Sequence, residues 1–428
     1  MLEDPALEPL RSRVRLLWGK YGHWSGPVFR LGSYGWAYAA QFALTLVLGV
    51  DVFAAYVAAT ALGMVGAYGS MAGVTDLLAR QWTWLSARRT HLWGTLTRFV
   101  GPRLLLAFVV PALLALVMER QGLIQASGDA PFWLLVGAFG VMTVTVDVCG
   151  VLLACLGRPS FHLIVSNGLL GIAFFAAAGW TLFADGRPDV LTFHVGAQIV
   201  TLTLVGAWLF RCMLRTVREN EMTNVKVPQR PDLRMGVTVT AVHMLEILRN
   251  HLPILLIQAV FQSAVAAAVV ASLRFSRSAD VMTSLVIAQY TRAIVSGGRE
   301  VIEANHAHAQ RLCVVLTGAA MIPLAGMILV LCHREGLGMG PTLFVTGMIA
   351  AGGVLRQVTT VEIWMAKVAT DPGPALRIGL AVEAIRFANF ALAATFGNVY
   401  AVVAVLVAHD LLLLAAMLNL SKKFHGYA

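Results

Sequence analysis

MLRTVRENEMTNVKVPQRPDLRM, residues 213–235, is the most polar stretch in the interior of the chain and stands almost at its midpoint. On either side the sequence turns apolar in runs of about twenty residues, the length an α-helix needs to cross about 30 Å of hydrocarbon. Membrane β-strands would instead alternate in polarity over about ten residues. Of 428 residues, 58% are hydrophobic and only 13% charged, with a mean hydropathy of +0.75. Soluble domains carry about 25% charge, so a water-soluble globule is excluded and a polytopic α-helical membrane protein is predicted.

Twelve spans follow, near residues 28–49, 53–75, 99–118, 132–155, 161–183, 190–210, 237–259, 265–290, 312–332, 341–366, 376–396 and 399–420. The reading is all-α, with two six-helix lobes. Residues 1–27 form a cytoplasmic or interfacial segment, 28–210 the N-lobe, 211–236 a cytoplasmic linker, 237–420 the C-lobe and 421–428 a tail. An even number of spans per lobe gives corresponding helices the same direction, as a pseudo-two-fold axis along the membrane normal requires.

Charge fixes the direction of the spans. With the N-terminus inside, 24 of the 32 lysines and arginines fall on the cytoplasmic side. Only Arg120, Arg187 and Arg334 fall outside, and the remaining five lie within spans. The positive-inside rule then places both termini in the cytoplasm. The net charge of +10 is thereby explained by topology, and no nucleic-acid partner is expected. The start of the chain lacks the order of a signal peptide, and RSRVRLLWGKY, residues 11–21, suits an interfacial helix on anionic headgroups. Cysteines 149, 155, 212, 313 and 332 have no spacing of a zinc site or disulfide framework, so neither a metal nor a cofactor is expected.

Five arginines (Arg249, Arg274, Arg277, Arg356 and Arg386) and six acids (Asp147, Glu246, Asp280, Glu362, Glu383 and Asp410) fall inside predicted spans. Each costs about 2.5–3.5 kcal/mol at a helix centre by insertion scales, so such residues face protein or a wet cavity. All five arginines belong to the second half. Glu246 with Arg249, Arg277 with Asp280 and Glu383 with Arg386 are three apart and share a helical face, which also suits plain charge pairing. Arg274 and Arg356 have no carboxylate at that spacing. A surplus of buried guanidinium groups suits an anionic ligand, held bidentately. Asp147, Asp410 and Glu246 are candidate proton or cation sites, with interhelical hydrogen bonding as the simpler role. His306 and His308 are expected in a cytoplasmic loop as solvated side chains. Gly63, Gly66, Gly69 and Gly73 mark a close helix contact, and Pro111, Pro253 and Pro323 mark kinks.

The layout resembles the polysaccharide-biosynthesis (O-antigen and exopolysaccharide) flippases of the multidrug/oligosaccharidyl-lipid/polysaccharide exporter superfamily. The resembling stretches are GSYGWAYAAQFALTLVLGVDVFAAYVAATAL at 32–62, AGVTDLLARQ at 72–81 and NHLPILLIQAVFQSAVAAAVVASLRFSRSADV at 250–281, the last with an Ala-x-x-Arg span. The resemblance implies a multi-pass protein of the bacterial inner membrane that flips an undecaprenyl-pyrophosphate-linked oligosaccharide by alternating access. It also implies an anionic lipid-linked glycan and other polysaccharide-assembly membrane proteins as partners. Its cationic cavity maps onto Arg274 and Arg277, to which depth adds Arg356, Arg386 and Arg249. The family places cations in both lobes, whereas here the first half has none deep in the membrane. Two alternatives compete: a cation-coupled multidrug antiporter of the same superfamily, and a polysaccharide-processing membrane enzyme. The enzyme reading lacks a long external loop and any DxD or HxxxxD constellation in a loop, so a non-enzyme is expected.

Overall fold

A computed structural model describes residues 31–71, 74–75, 78, 82–122, 131–156, 161–183, 189–223, 233–261, 263–280, 282–283, 286–287, 290, 299–369 and 372–426. Among them the chain forms helices and connecting turns, without strands. The helices are α1 (31–48), α2 (Val50–Met71), α3 (Arg89–Arg120, through a π-helical turn at Leu96–Val100), α4 (Phe132–Cys155), α5 (Phe161–Phe183) and α6 (Val190–Thr223). In the second half come α7 (Leu233–Val260), α8 (Ala264–Ser276), α9 (Arg299–Arg334), α10 (Met339–Ala369), α11 (Pro372–Thr395) and α12 (Val399–Gly426). Nine helices among the described residues are individually long and apolar enough to cross a membrane. The protein is an all-α, multi-pass membrane protein embedded in the bilayer.

Several helices outrun their predicted spans. The polar residues Arg215, Arg218, Glu219 and Glu221 continue α6 to Thr223, because an amphipathic helix keeps its backbone hydrogen bonds after it leaves the hydrocarbon. Likewise α9 begins at Arg299, so His306 and His308 stand on a helix and not in a loop. The expected interfacial helix at 11–21, Arg30, Gly73 and Arg187 lie outside the described residues.

The packing repeats. In the first half α2 touches α3 and α4, α3 touches α4, and α4 and α5 touch α6. Adding six to each number gives contacts that the second half also makes: α8 with α9 and α10, α9 with α10, and α10 and α11 with α12. The correspondence extends to the flanking helices. Trp36 on α1 donates to the Gly168 carbonyl of α5 at 3.3 Å and lies against Phe175, as α7 packs on α11. Across the lobes α2 meets α7 and α8, while Phe275 of α8 stacks on Phe53 of α2 and meets Phe42 of α1 edge-on. This is the pattern that a two-fold relation between the lobes produces.

Two turns share the same chemistry. Gly122 after α3 and Gly336 after α9 adopt φ of 68° and 74°, the left-handed region that glycine reaches without a Cβ penalty. Their amides donate to the carbonyls of Glu119 and His333, at 3.0 and 3.1 Å. The sequence carries a faint echo of this repeat, Arg-x-Gly at 120–122 and again at 334–336.

The first lobe is closed by small residues. A Cβ on Gly66 would stand 2.8 Å from the backbone nitrogen of Pro111, and one on Gly63 would stand 2.6 Å from the Phe139 ring. Gly137 and Gly140 on α4 face α3 as closely, with a Cβ meeting the Phe108 carbonyl at 2.9 Å and the Ala107 carbonyl at 3.1 Å. Without water to drive apolar faces together, membrane helices associate through close backbone approach, which these glycines allow.

Candidate functional site

In the second lobe α7, the end of α8, α10, α11 and α12 gather most of the charged residues that the sequence places within the membrane. From α7 come Glu246, Arg249, Asn250 and His251, and from the 3-10 turn that extends α8 (Arg277–Ala279) comes Arg277, followed by Asp280 and Thr283. Arg356, Gln357 and Thr360 stand on α10, Glu383 and Arg386 on α11, and Asp410 on α12. A cavity of about 230 Å³ opens between α7, the extension of α8 and α10, lined by Glu246, Arg249, Asn250, His251, Asp280, Thr283, Arg356, Gln357 and Thr360 among others. A smaller recess brings Arg249, Arg277, Arg356, Arg386 and Asp410 together.

Much of this charge is compensated within the protein. Arg386 pairs with Glu383 one turn away, both buried, as their spacing predicts. Arg356 has no such local partner but reaches Asp410 across helices, with Nε 3.9 Å from Oδ2. Arg277 donates to the imidazole Nδ1 of His251 at 3.1 Å instead of pairing with Asp280. Asp280 accepts from the side-chain amide of Gln357, whose carbonyl oxygen accepts from the Thr283 hydroxyl at 2.6 Å. That chain fixes the amide so that its NH₂ faces the carboxylate. Arg249 donates to the Thr360 hydroxyl at 3.4 Å, and its carbonyl accepts from Arg386 at 3.4 Å. The Nε and Nη1 of Arg249, the Nε of Arg277 and the Oδ1 of Asn250 are buried without a hydrogen-bond partner among the described residues.

The predicted site residues divide accordingly. Arg249, Arg277, Arg356, Arg386, Glu246 and Asp410 line this group of recesses. Arg274 is not among their lining residues. It is half-buried on α8, with its Nε unpartnered among the described residues, and within electrostatic reach of Tyr38, Tyr56 and His194 of the first lobe. Asp147 stands on α4 in the other lobe and is not among the residues lining this cavity. The sequence suggests a cavity dominated by arginine; the structure gives one lined by both signs, because Asp280 and Glu246 share it.

Two polar clusters carry little sequence signal. His194 on α6 is buried against Phe139 and Phe174, its Nδ1 2.7 Å from the Tyr56 hydroxyl and its Nε2 3.4 Å from Gln198. A lone histidine in an apolar run does not announce such a partner. Near the start of α9, His306 is buried, 2.9 Å from Glu362, which also accepts from Gln310 and, at 2.6 Å, from Ser421. This corrects the reading of His306 as a solvated loop residue. Its neighbour His308 lies edge-on to Tyr290. No cluster of three His, Cys, Asp or Glu suited to a metal occurs among the described residues.

No protein family's profile matches the sequence, and no curated protein does. Solved structures do match. An inward-facing multidrug resistance MATE family transporter of the MOP superfamily aligns over 94% of this chain and 98% of its own, with a TM-score of 0.51 at 13% identity. The eukaryotic MATE transporter AtDTX14 aligns over 92% and 96%, with a TM-score of 0.49 at 15% identity. A MOP superfamily transporter from Pyrococcus furiosus, whose description speaks of a binding pocket of reversed polarity, aligns over 93% and 92%, at 0.48 and 12%. At such identities the likeness is one of fold: the chain is similar to the MATE transporters of the MOP superfamily in the path of its helices along nearly their whole length.

Proposed function

We propose that the protein is a secondary transporter of the MOP type that exchanges an organic solute for a cation by alternating access. In this reading Asp280, Asp410 and Glu246 are the groups through which the coupling cation acts. The observation that carries it is the cavity lined by both charge signs, Asp280 and Glu246 sharing it with Arg249 and Arg356, the last of which also faces Asp410. A proton on Asp410 would remove the carboxylate charge that faces Arg356, 3.9 Å away, so the arginine and the coupling cation draw on one group. Protonation and solute binding thus compete for the same groups, which is the linkage an exchanger needs. The fold likeness to a multidrug transporter supports this reading over glycan flipping.

The second reading, flipping of an anionic lipid-linked glycan, is favoured by one feature: guanidinium nitrogens of Arg249 and Arg277 without protein acceptors among the described residues. One set of variants separates the two. Purified protein is reconstituted into vesicles containing a pH-sensing dye and challenged with a panel of organic cations, zwitterions and anions. Substrate-evoked proton movement is expected from the wild type and is expected to fall at least about tenfold in Asp280→Asn and Asp410→Asn. Proton movement evoked by no solute, or unchanged in both variants, overturns the exchanger. Loss of surface glycan in cells carrying Arg249→Ala or Arg277→Ala, at normal protein levels, establishes the flippase in its place.

A further inference from the structure

We infer that the second-lobe cavity is built for a small zwitterion, its anionic group held by Arg249 and its cationic group by Asp280. The inference rests on the exchanger reading for its transport context, but the chemistry comes from the unmet valences of the site.

Arg386 and Arg356 are already faced by Glu383 and Asp410. Arg277 is committed in part to His251. What the cavity offers a ligand is therefore the guanidinium of Arg249 together with the carboxylates of Asp280 and, on the same helix as the arginine, Glu246. Arg249 is 5% exposed, and two of its three nitrogens have no acceptor among the described residues. A buried donor left unmet is unfavourable, and a charged one more so, so an acceptor of negative charge is the fitting partner. Asp280 is exposed and lines the cavity, and among the described residues Gln357 is its hydrogen-bond donor, on Oδ1. The amide is set by Thr283, so the carboxylate is held in place with its other oxygen available to a cationic group. Asn250 adds a buried carbonyl oxygen that also lacks a donor.

A ligand of one sign would satisfy one of these charges and face repulsion from the other. Size argues the same way. The cavity of about 230 Å³ is smaller than the roughly 300–1,000 Å³ of sites for drug-sized ligands, which suits a compact molecule carrying both charges. A sugar pyrophosphate headgroup supplies negative charge alone and leaves Asp280 opposed.

The test uses the full chain in detergent and three probes matched in shape: L-phenylalanine, its methyl ester, which keeps only the positive charge, and N-acetyl-L-phenylalanine, which keeps only the negative. Titration calorimetry should show the zwitterion binding about tenfold or more tightly than either analogue, since a site that pairs a polar group rejects the analogue lacking it. Arg249→Gln should erase the preference over the ester, and Asp280→Asn the preference over the N-acetyl form. Equal affinities, tighter binding of a singly charged probe, no binding of any probe, or a preference that survives both substitutions overturns the inference. The wild-type comparison decides even if a variant fails to fold. Zwitterion binding without proton movement in vesicles would leave the site and remove the exchanger. Proton movement evoked only by singly charged cations would leave the exchanger and remove the zwitterion.

Discussion

Glu362 shows how much of a buried charge is legible in sequence and how much is not. Its position inside an apolar run marks it as a group that must be satisfied, yet its partners His306, Gln310 and Ser421 come from two other helices. No spacing rule reaches that far. The same division holds across the arginines. The Glu383 and Arg386 pair follows from a separation of three residues, whereas the match of Arg356 with Asp410 is set by how α10 lies on α12. Local rules also suggest pairing of Arg277 with Asp280, but in the structure Arg277 donates to His251 and Asp280 accepts from Gln357. For Glu362 the consequence is measurable. Glu362→Ala leaves a histidine, an amide and a hydroxyl without their shared acceptor and should destabilise the protein by about 3–5 kcal/mol, as other broken buried pairs do. Glu362→Gln keeps an acceptor oxygen and should cost markedly less. Thermal unfolding in detergent ranks the two, and equal melting of both variants with the wild type would show that the cluster carries no stability.

At the level of helices, the glycine spacing of the second span marks a close helix contact, because residues three and seven apart return to one face; Gly63 and Gly66 make it with α4 and α3, while Gly69 faces Met244 of α7. Gly137 and Gly140 on the opposing face carry no such signal in sequence, since that face is defined only when the helices meet. Gly66→Ala drives its new methyl group into the Pro111 backbone, which cannot swing aside as a side chain can, and should cost about 1–3 kcal/mol. Gly179→Ala, with no atom within 4 Å of the added carbon, should be neutral or stabilising by up to about 1 kcal/mol, because alanine loses less chain entropy in a helix. Unfolding midpoints that move the same way for both would refute the packing account. Helix length was the weaker part of the reading, since hydropathy marks where lipid ends and not where the helix does, as α6 and α9 show.

For the molecule as a whole, the apolar runs and the sorting of basic residues predict a two-lobed bundle, and its repeated contacts extend that prediction to individual helix pairs. The repeat itself is nearly invisible in sequence: packing constrains volume and direction, which many residues can supply, so only fragments such as the two Arg-x-Gly turns persist. Orientation gives the clearest test. Arg334 is exposed at the end of α9 and donates to the Leu46 carbonyl at the end of α1, while Arg215 is exposed on the part of α6 beyond its predicted span. An impermeant maleimide should label Arg334→Cys in intact cells and Arg215→Cys only after the membrane is opened. The native cysteines are half-buried or buried, which keeps the background low. Reversed labelling would overturn the orientation.

The two lobes therefore repeat one packing scheme, with close glycine contacts in both, such as Gly66 on Pro111 and Gly379 on Leu245, but the buried arginine–carboxylate pairs among the described residues belong to the second. They should differ in the second-site suppressors they yield. A defect at Gly66 is relieved by trimming a neighbour, whereas the loss of Arg386 or Arg356 is relieved by neutralising Glu383 or Asp410. The genetic grammar of the molecule widens past its midpoint, where charge traded for charge joins volume traded for volume.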